Sequence, residues 1–257
     1  MGDESKPIIE VKDLMAGYGR TVVLEDINFD VRTGEVFAIL GGSGCGKSTL
    51  LKHMIGLRSP MKGSVLIDGT DIVEAQGAER RALLKKIGVS YQSGALFGSM
   101  DLIENISLVL EELTDLPADA IEMIAQMRLK VVGLQDAAYK MPAELSGGMR
   151  KRAAIARALA LDPKVLFLDE PSAGLDPITA VQLDNLILEL SESLGITSVL
   201  VTHELPSIFA VADRVIMLDK QTRTIIATGA PEELRDHSDK PQVRQFFNRQ
   251  APDNGVG

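Results

Sequence analysis

The run Gly41-Gly42-Ser43-Gly44-Cys45-Gly46-Lys47-Ser48 constrains this chain more than any other stretch, because of what stands on either side of it. It follows the continuously apolar Val36-Phe37-Ala38-Ile39-Leu40 and leads at once into helical apolar spacing that runs through Leu57. Strand, glycine-rich loop and helix in that order satisfy the pattern of a phosphate-binding loop. The glycines let successive backbone N–H groups turn inward on phosphate oxygens, and the start of a helix adds a favourable dipole. In such a loop Lys47 bridges the β- and γ-phosphates and the Ser48 hydroxyl binds Mg2+. Gly41, Gly42, Ser43, Gly44, Cys45, Gly46, Lys47, Ser48 and Thr49 are therefore the expected nucleotide contacts. Cys45 reads as a small loop side chain with no redox role.

Short β-branched runs alternate with longer helical patterns along most of the chain, as in an α/β fold. Strands are expected at 8–11, 22–31, 36–40, 64–67, 87–91, 165–168, 198–201, 214–218 and 224–227. Several are apolar throughout, which points to a parallel sheet covered on both faces. Between about 94 and 161 the strand signal disappears, and 100–113, 117–132 and 147–161 read as helices. This is the pattern of a helical subdomain inserted into a core formed by about 8–93 and 162–247. From about 248 the sequence has no periodicity and is expected to fray. With 257 residues, one domain is the expectation.

Charge and composition exclude other classes. Basic residues number 27 against 36 acidic ones, a net charge of −9, which argues against nucleic acid or an anionic membrane surface as a direct partner. Trp is absent and there are three Tyr, too few for a platform on which single strands stack. The lone Cys45 cannot form an internal disulfide, which suits a reducing compartment. No apolar run approaches a membrane span, and the polar start Met1-Gly2-Asp3-Glu4-Ser5-Lys6 is unlike a signal peptide. A cytosolic protein is expected, with any membrane role supplied by a partner.

A second half of the phosphate site follows from Val165-Leu166-Phe167-Leu168-Asp169-Glu170. A buried strand here ends in two carboxylates at its C-terminal edge, where open α/β sheets bind ligands. Asp169 is the natural Mg2+ partner, and Glu170 remains free to orient or deprotonate an attacking water.

Leu145-Ser146-Gly147-Gly148-Met149, continued by Arg150-Lys151-Arg152-Ala153-Ala154, opens a helix with a hydroxyl and two glycines that can face an anion. With the motifs above, in this order, it resembles the signature of ABC transporter ATPases. The resemblance covers nearly the whole chain. It implies a P-loop core with a mixed, mainly parallel sheet, an antiparallel β subdomain and a helical subdomain, and it implies ATP hydrolysis with Mg2+. It also assigns roles. Tyr18 is implied to stack on adenine, Gln92 to reach the metal ion and the water, Asp176 in Gly174-Leu175-Asp176 to belong to the loop at the subunit boundary, and His203 to touch the γ-phosphate. Two copies are implied to pair head to tail, so that Ser146, Gly147 and Gly148 of one close over ATP held by Lys47 and Ser48 of the other. His53 and His237 match no motif and read as structural.

Finer features resemble the ATPases of Mla-type bacterial phospholipid transport, which work with MCE proteins. These are Gln92-Ser93-Gly94-Ala95-Leu96-Phe97, Met149 in place of the commoner Gln, Glu170-Pro171-Ser172-Ala173-Gly174-Leu175-Asp176-Pro177, and Pro241-Gln242-Val243-Arg244-Gln245-Phe246-Phe247. That resemblance implies an integral-membrane permease dimer docking near 92–101, a STAS-domain protein, a periplasmic MCE lipid-binding protein, and a place on the cytoplasmic face of the inner membrane. Rival readings are the ATPase of a small-solute importer and a soluble ABC ATPase acting on nucleic acid. The apolar set Val243, Phe246 and Phe247 suits either a neighbouring subunit or its own core.

Overall fold

In the computed structural model, which describes residues 7–250, the chain begins with β1 (Pro7–Tyr18), β2 (Thr21–Arg32), β3 (Val36–Gly41), α1 (Lys47–Met54), β4 (Lys62–Ile67) and β5 (Thr70–Asp71). Next come α2 (Gly77–Leu84), β6 (Ile87–Ser90), α3 (Leu102–Leu113), α4 (Ala118–Val131), α5 (Gly147–Ala158) and β7 (Val165–Asp169). The rest is α6 (Pro177–Leu194), β8 (Thr197–Val201), α7 (Leu205–Val211), β9 (Arg214–Leu218), β10 (Ile225–Gly229), α8 (Pro231–His237) and α9 (Pro241–Phe247). The polar start 1–6 and most of the expected loose tail lie outside the described residues. At the tail's near end Asn248 is held, its amide donating to the carbonyls of Arg235 and Arg244.

The strands form two sheets. One is antiparallel, in the order β2-β1-β4-β5, and the other has six strands in the order β10-β9-β3-β8-β7-β6. In the larger sheet β9, β3, β8, β7 and β6 run parallel and β10 pairs antiparallel at the edge. This is the expected α/β class. All residues of β3 and β8 are buried, with α1 and the antiparallel sheet on one face and helices such as α6 and α7 on the other, which explains their unbroken apolar sequence.

Register places the site. Val201 of β8 pairs with Ile39 of β3 on one side and with Asp169 of β7 on the other. The loop after β3, the residues after β8 and the acids at the end of β7 therefore emerge on one edge of the sheet. Among the described residues no strand lies between Ser90 and Val165; α3, α4 and α5 fill that interval and pack on one another. A capping box starts α3: Glu104 N–H donates to Asp101 Oδ1 and Asp101 N–H to Glu104 Oε2.

Several boundaries differ from the sequence expectation. β1 runs on to Tyr18 because Asp13, in the left-handed region at φ 47°, makes a bulge that resets the inward face between Val11 and Leu14. Gly63 lies against that bulge, where a Cβ would stand 2.4 Å from the carbonyls of Lys12 and Asp13. α1 ends at Met54 rather than Leu57, since Gly56 turns left-handed at φ 71°, its N–H donating to the His53 carbonyl while the N–H groups of Leu57 and Arg58 take the Lys52 carbonyl. α5 ends at Ala158 rather than Leu161, and β5, α2, α6, α7 and α8 have no counterpart among the elements expected by residue range. Among the described residues no helix is long and apolar enough to cross a membrane.

Candidate nucleotide site

The loop after β3 is shaped by three left-handed glycines, Gly41 (φ 144°), Gly44 (φ 74°) and Gly46 (φ 106°). A side chain at Gly41 would meet Cys45 Sγ and the Leu218 carbonyl at 2.5 Å, so only glycine fits. Gly46 precedes Lys47, the first residue of α1, and no side chain caps the helix, which leaves its first N–H groups for an anion. Lys47 Nζ donates to the carbonyls of Gly41 (2.8 Å) and Gly42 (3.3 Å), folding over the loop where phosphates bind. A cavity of about 610 Å³ opens here, lined by Gly41, Gly42, Ser43, Gly44, Gly46, Lys47, Ser48 and Thr49 together with Gln92, Glu170 and His203. Cys45 is not on this wall. Its side chain is buried beneath Gly41, and burial pushes its thiol up from the usual value.

The end of β7 supplies the opposite side. Glu170 takes a left-handed conformation at φ 47°, which costs a non-glycine residue about 1–2 kcal/mol. Both of its carboxylate oxygens are engaged: Oε1 lies 2.8 Å from His203 Nδ1 and Oε2 accepts from Thr202 Oγ1 at 3.2 Å. Beside it, Asp169 Oδ1 is buried with no protein partner. Burial first, and the Glu170 charge second, hold the Asp169 carboxyl above the usual range, while Lys151, Lys52 and Lys47 pull it back. A carboxylate oxygen orphaned beside a second acid fits a divalent cation, and Ser48 and Gln92 line the adjoining cavity. These residues suit Mg2+.

Other expected contacts stand apart from this wall. The Tyr18 hydroxyl hydrogen-bonds Thr49 Oγ1 at 3.1 Å, and one face of its ring is covered by the Arg58 guanidinium, 4.6 Å from the centroid. Ser146 is the N-cap of α5, its Oγ accepting from Met149 N–H at 3.2 Å, and it does not line the cavity; nor do Gly147 and Gly148. Gly148 packs against α6, where a Cβ would meet the Thr179 methyl at 2.3 Å. Asp176 caps α6, accepting from the N–H groups of Ile178 and Thr179 and from Thr179 Oγ1.

Two lining residues had no sequence signal. Val23 of β2 and Phe246 of α9 both face the cavity. In α9 Val243 and Phe247 are buried in the core, with Phe247 edge-on to Phe209 at 5.9 Å, while Phe246 is half-buried, edge-on to Phe247 at 5.7 Å, and also lines the phosphate-loop cavity. A helical apolar spacing announces a buried face, but nothing local says that one member reaches a loop some two hundred residues earlier in the chain.

A family model described as ABC transporter matches residues 24–173. The probable ribonucleotide transport ATP-binding protein mkl of Mycobacterium leprae is 42% identical over 250 residues, covering 96% of this chain and 71% of that protein. The intermembrane phospholipid transport system ATP-binding protein MlaF of Haemophilus influenzae is 41% identical over 244 residues, covering 95% of this chain and 91% of that protein. Among solved structures, the dimeric post-hydrolysis ATP-binding cassette MJ0796 bound to ADP and Pi superposes with a TM-score of 0.77 at 29% identity, covering 86% of this chain and 98% of that one. Phosphate loop, paired acids and signature helix thus sit in a frame shared with ATP-hydrolysing cassettes, and the chain belongs to the ABC transporter ATPases, which hydrolyse ATP with Mg2+.

Proposed function

We propose that Glu170 orients or deprotonates the water that attacks ATP, and that two copies of this chain, head to tail on an integral-membrane permease dimer, use hydrolysis to move phospholipids between the inner and outer membranes of a bacterium. The observation carrying the chemistry is the placement of Glu170 at the cavity, both carboxylate oxygens held. Transport of phospholipid is supported by 41% identity to MlaF over 95% of the chain.

Binding of ATP draws the Lys47 ammonium from the Gly41 and Gly42 carbonyls to the β- and γ-phosphates, while the free N–H groups at the start of α1 receive phosphate oxygens. Ser48, Asp169 and Gln92 would hold Mg2+, which would supply charge neutralisation at the phosphate oxygens. Glu170 orients the attacking water or accepts its proton, and His203, fixed through Nδ1 and with Nε2 3.7 Å from Glu204 Oε1, lines the cavity where the γ-phosphate would lie. Tyr18 offers its uncovered ring face to adenine. The signature residues Ser146, Gly147 and Gly148 lie off their own chain's cavity, which suits closure over ATP on a second copy, with Asp176 at the boundary. The further partners in this reading are a STAS-domain protein and a periplasmic MCE lipid-binding protein, with the ATPase held on the cytoplasmic face of the inner membrane by the permease.

A second reading, small-solute transport, is favoured by the 42% identity to a protein named for ribonucleotide transport. Affinity purification from detergent-solubilised membranes of the host, with mass spectrometry of what accompanies the chain, separates them. A permease with MCE and STAS proteins is the expected result. A different permease with a solute-binding protein overturns the phospholipid reading and leaves the ATPase chemistry standing.

A further inference from the structure

Lys151, one turn into α5, is almost wholly buried, and its ammonium is spent on two backbone carbonyls. Nζ donates to the carbonyl of Gln92 at 2.6 Å and to the carbonyl of Glu170 at 2.8 Å. Those two residues belong to the loop after β6 and to the end of β7, and both face the nucleotide cavity. A buried cation is expensive unless its donors are satisfied. Here the acceptors are the main chain of Glu170, proposed above to act on the attacking water, and of Gln92, which would help hold Mg2+.

Glu170 needs such a hold. Its left-handed backbone is strained, and strained conformations persist only where surroundings over-determine them. Its N–H is fixed to the Val201 carbonyl at 2.7 Å, and its carbonyl accepts from Lys151 and from Ala173 N–H. The lysine is the one side chain among these, and it comes from the signature helix. A second α5 residue grips the same loop further on: Arg157 donates to the carbonyls of Ala95 (2.6 Å) and Gly94 (3.1 Å) but makes no hydrogen bond to Glu170.

We infer that Lys151 is a positioning residue for hydrolysis, a clamp through which the signature helix sets the backbone of Gln92 and Glu170 together. This rests on the role of Glu170 proposed above. The clamp acts on geometry, so it governs turnover more than nucleotide affinity. Misplacement of a reacting group by about 1 Å costs up to about 100-fold in rate.

The test uses the full chain in its purified membrane complex and compares Lys151→Met, Lys151→Arg, Arg157→Met and Glu170→Gln with wild type. ATP affinity by equilibrium binding, kcat, melting temperature and amide hydrogen exchange are read for each. Lys151→Met is expected to lower kcat about 10- to 100-fold with ATP affinity within about threefold, and to speed exchange at 92–95 and 170–173 while other segments keep wild-type rates. Lys151→Arg, which still offers several donors, is expected to recover most of the rate. Arg157→Met is expected to speed exchange at 92–95 only, with kcat within about threefold of wild type. A wild-type kcat for Lys151→Met, or a loss of kcat matched by an equal loss of ATP affinity and by faster exchange throughout, overturns the clamp. Should Lys151→Met fail to accumulate as folded protein, Lys151→Gln, neutral and one atom shorter, is judged on the same readings. Wild-type turnover in Glu170→Gln overturns the underlying role of Glu170 instead, which keeps the two failures distinct.

Discussion

His203 Nδ1 stands 2.8 Å from Glu170 Oε1, joining the second residue after β8 to the first after β7 across adjacent parallel strands. Thr202 Oγ1 holds the other oxygen, so the carboxylate has one orientation open to it. Glu170→Gln keeps the size and one acceptor but removes the base. Turnover is expected to fall by about 10²–10⁴-fold with ATP still bound, measured by phosphate release and nucleotide retention in the purified complex. His203→Ala, which frees Oε1, is expected to cost about 10- to 100-fold in kcat. Equal hydrolysis by Glu170→Gln and wild type would remove Glu170 from the mechanism.

Lys47 makes its present hydrogen bonds within the phosphate loop itself, to Gly41 and Gly42. Lys47→Ala removes these two contacts to loop carbonyls, and its larger cost is expected in ATP binding. Loss of a charge-assisted contact of about 1.5–3 kcal/mol predicts about a 10- to 100-fold weaker ATP affinity, together with loss of hydrolysis. Calorimetric titration with ATP checks the first part. An unchanged affinity contradicts the placement of the ammonium on the phosphates.

Phe246 gives a separate handle on the same cavity. Phe246→Ala removes an aromatic wall, while Val243 and Phe247 keep α9 in the core. ATP affinity is expected to weaken about 3- to 10-fold, the worth of one aromatic contact, alongside a fall in melting temperature from the lost packing on Phe247 and the core. If affinity stays at the wild-type value and only stability falls, Phe246 serves packing alone.

Asp68 predicts a pH effect far from the cavity. Hydrogen bonds from Lys86 (2.6 Å) and Lys164 (2.9 Å) hold its carboxyl down at about 2. An unfolded Asp titrates near 3.9, so between that pH and about 2 the folded state keeps a charge the unfolded state has lost. The stability gained is complete above about pH 4 and drains away as the pH falls to about 2. All three side chains are partly exposed to water, which limits the contribution to about 1 kcal/mol or less. Asp68→Asn is expected to be less stable at pH 6 by that amount and to lose part of the wild-type decline between pH 4 and 2, as read by urea unfolding at each pH. A parallel decline in both proteins contradicts the assignment.

What could be read from the sequence was whatever a short window contains. The phosphate loop, the apolar runs of β3, β7 and β8, and the acids at the end of β7 are each continuous in the chain, and each appears where its pattern places it. Bulges hide the rest of β1, because Asp13 throws the alternation out of phase just where the strand continues. α2 is short and mostly exposed, so its apolar spacing is faint. Lys151 stands in a basic run that looks like a solvated helix face, and its burial follows only from contacts 59 and 19 residues away in the chain. Phe246 is similar: periodicity marks its helix as amphipathic, and only the packing of α9 reveals that it faces the cavity.

The contacts of Asp68 bear on how the larger sheet is anchored. Lys86 immediately precedes β6 and Lys164 immediately precedes β7, and backbone bonds from Lys164 and Val165 to the Lys86 carbonyl seal the same corner. One carboxylate on the β4–β5 turn of the antiparallel sheet thus ties down the starts of both strands, at the edge remote from the nucleotide. β7 is moored at its root and bears its acids at the tip. The smaller sheet therefore grips this strand at its base through Asp68 and Lys164, whereas the signature helix grips it at its tip through Lys151 and the Glu170 carbonyl.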